Sequence, residues 1–115
     1  ISVNVKNKKA YLGKSEMLLS HSVDKDGEYL LVVRPEKLFL AKKTEKNTNL
    51  FGAVVTESIF QGESQLLVLK LEEKVYGKQS LQMRIANGFD LKDKIPAVGD
   101  ELMIGLRKLD SFIVE

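Results

Sequence analysis

The sequence contains no cysteine and no tryptophan, a single histidine and only two prolines in 115 residues. Without cysteine there is no disulfide, no thiolate nucleophile and no cysteine-based zinc site, which fits a reducing compartment. The lone histidine, His21, sits in the polar stretch HSVDKD and reads as a surface residue, because one imidazole supplies neither a Cys/His pair nor a multi-histidine metal site. No GxSxG, GxxxxGK[ST] or GxGxxG pattern occurs, so the chain carries no nucleophile elbow and no nucleotide-binding loop. Its carboxylates are scattered, with no local motif selecting a catalytic pair. Apolar runs fall far short of the ~20 residues of a membrane helix, and the N-terminus has no signal-peptide pattern. Charge of one sign is not in excess either. The 18 basic and 16 acidic residues leave +2, too little to mark nucleic acid or an anionic membrane as partner. The chain is therefore expected not to be an enzyme, with no catalytic, cofactor-binding or metal-binding residues of its own. Because it opens on Ile1 rather than Met, it is also expected to be a piece of a longer polypeptide.

What is present is the composition of a folded domain: 43% hydrophobic and 30% charged residues, in a length that suits one core. Short apolar segments alternate with turn residues, and no helical period persists beyond a turn or two. Ile1–Val5 alternates as a strand, with Val3 and Val5 on one face. Lys6–Lys9 reads as a solvated hairpin tip, and Ala10–Leu12 resumes the strand. Met17–Leu19 is a brief apolar run, and Asp24-Lys25-Asp26-Gly27 is a turn signal. The centre of the pattern is Leu30–Leu40, LLVVRPEKLFL: a β-branched run, a corner at Arg34-Pro35-Glu36, and a second apolar run. Proline lacks the N–H that a central strand needs, so strand, corner and strand follow. An Arg34–Glu36 ion pair is expected at that corner, and a paired, partly buried guanidinium would make Arg34→Ala cost about 1–3 kcal/mol, with Arg107 as control.

Lys42–Asn49, KKTEKNTN, reads as an exposed connection between two sub-sheets. Leu50–Gln61 reads as one long strand, with Gly52 marking a bulge or close approach. It turns at Gly62-Glu63-Ser64 and returns as Gln65–Leu71, followed by a turn over Glu72–Gly77. Ser80–Ala86 has the cleanest period of two, pointing Leu81, Met83 and Ile85 inward. Asn87-Gly88 is a turn pair, Asp90–Lys94 is polar, and Pro96–Asp100 makes a corner into the strand Glu101–Arg107. Phe112–Val114 closes the pattern. The expectation is an all-β barrel or sandwich of short strands. Most of the eight aromatic residues lie beside apolar runs and read as core; Tyr11, among lysines, is the one candidate for stacking on a base.

The order of these pieces resembles the transport-associated oligonucleotide-binding-like (TOBE) domain that follows the ATPase domain in ATP-binding subunits of ABC importers. The residues carrying the resemblance are Val33-Arg34-Pro35-Glu36 before an apolar strand, Gly52-Ala53-Val54-Val55 running through Ile59-Phe60-Gln61-Gly62 into a hairpin, and Val98-Gly99-Asp100 before another strand. Together they cover Leu30–Glu115, with Ile1–Ser22 matching only as a strand-rich lead-in. A second Arg-Pro-Glu-like element is usual; here Arg107-Lys108-Leu109-Asp110 stands in its place without the proline. The resemblance implies a small barrel of oligonucleotide-binding-like type, with two lobes of short antiparallel strands. Residues 1–115 would then be one C-terminal accessory domain, with the ATPase domain, its ATP and its Mg upstream and outside this chain. Arg34, Pro35, Glu36, Gly52, Gly62, Gly99 and Asp100 become the motif residues with structural or regulatory roles, the Asp100 corner facing that of Arg34 and Glu36. The expected partners are a second copy of the ATPase subunit, the transmembrane permease subunits and a small regulatory ligand; nucleic acid is not expected. The expected place is the cytoplasmic face of the membrane, within the transporter complex. The strand from Gly52 to Gly62 is most similar to the polyamine and ferric iron branch. Two alternatives stand beside this reading: a stand-alone oxyanion-binding barrel and a barrel for single-stranded nucleic acid.

Overall fold

Alternation decides the first hairpin. Val3 and Val5 are buried and Ser2 and Asn4 exposed on β1 (Ser2–Lys6), which pairs antiparallel with β2 (Lys9–Leu12). The two residues between them, Asn7 and Lys8, have φ of 53° and 65°, the left-handed geometry that matches a tight turn to the twist of its strands. The Asn7 N–H donates to Asp26 Oδ1 at 3.0 Å, so an aspartate of the expected Asp24–Gly27 turn holds the hairpin tip. β3 (Ser15–Met17) and β4 (Gly27–Val32) follow, and the first sheet places β4 beside β1, then β2 and β3, with the C-terminal strand Phe112–Val114 on the other side of β4.

The computed structural model describes residues 1–86 and 96–115. The expected Asn87-Gly88 turn and the polar stretch Asp90–Lys94 lie outside the described residues.

After β4 a 3₁₀ turn at Pro35–Lys37 carries the chain into β5 (Phe39–Leu40), which belongs to a second sheet. That sheet is built from β5, β6 (Thr48–Gln61), β7 (Ser64–Leu71), β8 (Ser80–Ala86) and β9 (Glu101–Arg107), in the order β5-β9-β6-β7-β8, with one helical turn, α1 (Glu73–Tyr76), between β7 and β8. A second 3₁₀ turn at Lys108–Asp110 returns the chain to the first sheet as β10 (Phe112–Val114), antiparallel to β4. The second lobe is thus inserted between two strands of the first.

This corrects the reading of Lys42–Asn49. The connection between sheets is the Arg34–Leu38 corner, whereas the 42–47 segment joins β5 to β6 within the second sheet, where the two flank β9. Thr48 and Asn49 are buried members of β6 rather than part of an exposed loop. The bulge of the long strand also falls elsewhere than expected. The register slips between Val55 and Glu57, making Thr56 the extra residue, while Gly52 pairs regularly with Met103. Leu81, Met83 and Ile85 point inward on β8 as their period requires.

A single core cluster draws on both sheets, from Val3, Val5 and Leu12 to Phe51, Leu69 and Ile104. α1 is pinned beneath it: the Tyr76 ring meets Phe51 edge-on at 5.6 Å, and its hydroxyl donates to Leu50 O at 3.1 Å. Burial raises the Tyr76 phenol above its ordinary pKa. At the first sheet's open edge, the residues after β3 lie against β10. The Ser20 N–H donates to Ser111 O at 2.7 Å, and the Ile113 N–H donates to His21 Nε2 at 3.2 Å. These bonds close the first sheet toward its other edge.

Candidate functional site

The two crossings are built alike. Arg34 and Arg107 each stand in extended backbone, each is followed by a 3₁₀ turn, and each precedes a phenylalanine by five positions, Phe39 and Phe112. The residue before each phenylalanine, Leu38 or Ser111, is buried. The second crossing keeps this turn without a proline. The Ser111 N–H donates to Lys108 O at 3.1 Å and its hydroxyl to Arg107 O at 2.8 Å, so a serine ties locally what Pro35 restricts through its ring.

The expected ion pair at the first crossing is not formed. Arg34 and Glu36 are both exposed, and the ion pair found among the described residues is Lys9–Glu16 on the first hairpin. Backbone holds the corner instead: the Lys37 N–H donates to Arg34 O at 2.9 Å, and the Pro35–Lys37 turn packs on β8. The arginine with a partner is Arg107, whose guanidinium carbon lies 4.7 Å from the Phe39 ring centroid. Phe39 in turn covers Gly105, where a Cβ would come within 2.6 Å of the ring. The expected ranking of the two arginines therefore reverses. In thermal unfolding, Arg34→Ala should stay within about 0.5 kcal/mol of the parent, while Arg107→Ala loses about 0.5–1 kcal/mol of cation–π contact. A larger loss at Arg34 would restore the ion-pair account.

The other motif residues do not gather around this corner. Gly62 opens the β6–β7 turn at φ 61°. Gly99, at φ 95°, and Asp100 form the corner before β9, where Asp100 Oδ2 accepts the Ala97 N–H at 2.8 Å. The Gly99 N–H donates to Val55 O and the Val55 N–H to Asp100 O, at 2.8 and 3.0 Å. Phe39 pairs with Gly105 near the far end of β9, so roughly 17 Å of extended strand separates the Asp100 corner from that position. Among the described residues no hydrogen bond or ion pair joins Asp100 to Arg34 or Glu36.

Gly52 does mark a surface feature. It lies on the outer face of β6 between Met103 of β9 and Glu72, in the lining of an open groove of about 640 Å³. Glu72, Glu73 and Glu101 rim that groove against one lysine, Lys70. Among the described residues no group of three or more His, Cys, Asp or Glu side chains could hold a metal ion.

Sequence reasoning missed the polar joint between the lobes. Asn49 Oδ1 accepts the Leu18 N–H at 2.7 Å, and its Nδ2 donates to Leu18 O at 2.9 Å and to Ser111 Oγ at 2.8 Å. One buried amide thus joins β6, the residues after β3 and the second crossing. In the string KKTEKNTN nothing distinguishes this asparagine from solvated neighbours.

Two antiparallel sheets joined by paired crossings define an all-β, two-lobed domain of oligonucleotide-binding-like type. A family model described as the TOBE domain matches residues 31–113, and the chain belongs to that family. The match begins in β4 and ends in β10, leaving β1–β3 before it. The TOBE domain is a non-catalytic domain, and the match fits a regulatory or ligand-binding domain of the kind associated with ABC transporter ATPases. No curated protein matches the chain.

Proposed function

We propose that this domain is the C-terminal accessory part of the ATP-binding subunit of an ABC importer, contributing subunit contact and regulation while ATP and Mg are handled by an ATPase domain upstream. The observation that carries this reading is the family match over residues 31–113. The fold supports it with an apolar surface suited to contact. Leu30 and Val114 are exposed opposite one another on β4 and β10, beside the half-buried Val32 and Phe112. A second copy of the subunit is the partner in this reading, and the permease subunits hold the complex at the cytoplasmic face of the membrane. Whichever ATPase state presents the better contact for the paired domains is the state they favour.

For ligand sensing, the groove over Gly52 favours a cation, because its three carboxylates outnumber Lys70. That agrees with the polyamine branch rather than with a bound metal ion, and counts against the oxyanion alternative at this groove. The experiment is to read the coding sequence upstream of Ile1. A GxxxxGK[ST] loop on a strand-to-helix unit is expected there; a start codon immediately before Ile1 would sink the importer reading.

A further inference from the structure

We infer that His21 is an acid-sensitive latch on the seam of the first lobe. β10 pairs with β4 on one side, through Phe112–Val32, Ile113–Leu31 and Val114–Leu30. On its other side the chain after β3 supplies the partners. The Ser20 N–H reaches Ser111 O at 2.7 Å, an ordinary backbone bond. The next donor along, the N–H of the buried Ile113, meets no carbonyl; its acceptor is the ring nitrogen Nε2 of His21, at 3.2 Å. A side chain thus fills the place that a backbone acceptor fills elsewhere in the ladder, and an imidazole nitrogen loses its lone pair, and with it this ability, when it takes up a proton.

The other ring nitrogen fixes the chemistry. Nδ1 lies 3.2 Å from Ser22 O, an acceptor only, so Nδ1 carries the proton and Nε2 the lone pair. Both contacts are satisfied by this one neutral tautomer. Protonation adds a hydrogen to Nε2, which then faces the Ile113 N–H donor to donor, and the bond is lost. The ring is exposed, so a proton reaches it without unfolding.

Charged groups around the ring come from each element that packs there. The groove beside it is lined by Lys8 and Lys9 of the first hairpin, Glu16 of β3, Asp24 of the ring's own loop and Lys108 of the second crossing. Lys9 is paired with Glu16 at 3.8 Å. The sign of the linkage follows from the bond itself. The closed seam holds the neutral ring and the open seam takes up a proton, so closure weakens as pH falls.

The test is native-state amide hydrogen exchange on the full 115-residue chain at pH 7.5 and 5.5, expressed as protection factors corrected for intrinsic exchange. Protection of the Ile113 amide should fall by about threefold to tenfold at the lower pH, the equivalent of one hydrogen bond. The Lys14 amide, bonded to Val75 O away from the seam, should hold its protection. In His21→Gln an uncharged amide oxygen stands near Nε2, and Ile113 protection should no longer respond to pH. The ring nitrogen shifts at pH 7.5 should report the Nδ1–H tautomer. No fall in the parent chain, an equal fall in His21→Gln, or an Nε2–H tautomer at pH 7.5 would each overturn the latch.

Discussion

Gly13→Ala should lower stability by about 3 kcal/mol or more and the melting temperature by roughly 10 °C. Gly13 sits in the turn between β2 and β3 at φ 60°, a region that alanine occupies only with strain. Its Cα also lies against the second lobe: an added Cβ would come 2.3 Å from Val75 O and 2.8 Å from the Tyr76 backbone. Those obstacles are main-chain atoms of α1, so no side chain can swing away. The lobes must part, and the adjoining Lys14 N–H to Val75 O bond of 2.8 Å goes with them. Gly62→Ala separates the two effects. Gly62 has nearly the same φ, 61°, but nothing within 4 Å of an added Cβ. It should lose only about 1 kcal/mol, the backbone term alone. Equal losses at the two glycines, measured by urea unfolding, would show that contact between the lobes contributes nothing.

The second large effect belongs to Asn49. Asn49→Leu preserves approximate size but removes three hydrogen bonds, to Leu18 N–H, Leu18 O and the Ser111 hydroxyl, the last of which keeps its own bond to Arg107 O. Each such hydrogen bond contributes about 0.5–1.5 kcal/mol net, so a loss of roughly 2–4 kcal/mol is expected. Ser111→Ala removes one of Asn49's partners together with the tie to Arg107 O, and should lose about 1 kcal/mol. Because the two residues share a network, the double variant should be clearly less unstable than the sum of the singles. Strict additivity in that cycle would mean that the Asn49–Ser111 bond carries no energy of its own.

These positions also mark where the sequence could be read and where it could not. The strands Ile1–Val5, Ser80–Ala86 and Glu101–Arg107 were legible, because one buried face imposes a period of two. The corner at Arg34-Pro35-Glu36 was legible because proline interrupts a strand, and its apolar flanks place it between two elements. What its charges do was not legible. A guanidinium within two residues of a carboxylate suggests an ion pair, yet both side chains point to solvent, and the arginine that finds a partner is the one in the degraded copy, Arg107. Asn49 was hidden among polar neighbours because hydrophobic pattern reports burial only of apolar residues. Gly52 was read on residue type as a bulge or a close approach; the bulge sits at Thr56, beyond Val54, the last β6 residue in register with β9.

By itself the sequence determined that the chain is all-β, where most strands begin and end, that it carries no local motif of catalysis, and which family its order of pieces resembles. All of these rest on local chemistry: alternation, turn residues, the donor that proline lacks, and short motifs in sequence order. Only the tertiary structure decided that the second lobe is inserted between β4 and β10, that Gly13 must lie bare against α1, that a buried amide joins the lobes, and that a histidine ring closes a strand edge. Those are pairings between residues from 31 to 92 positions apart in the chain, or between main-chain atoms alike in every residue. A local pattern fixes which face of a strand is buried, but not which distant group completes its hydrogen bonds.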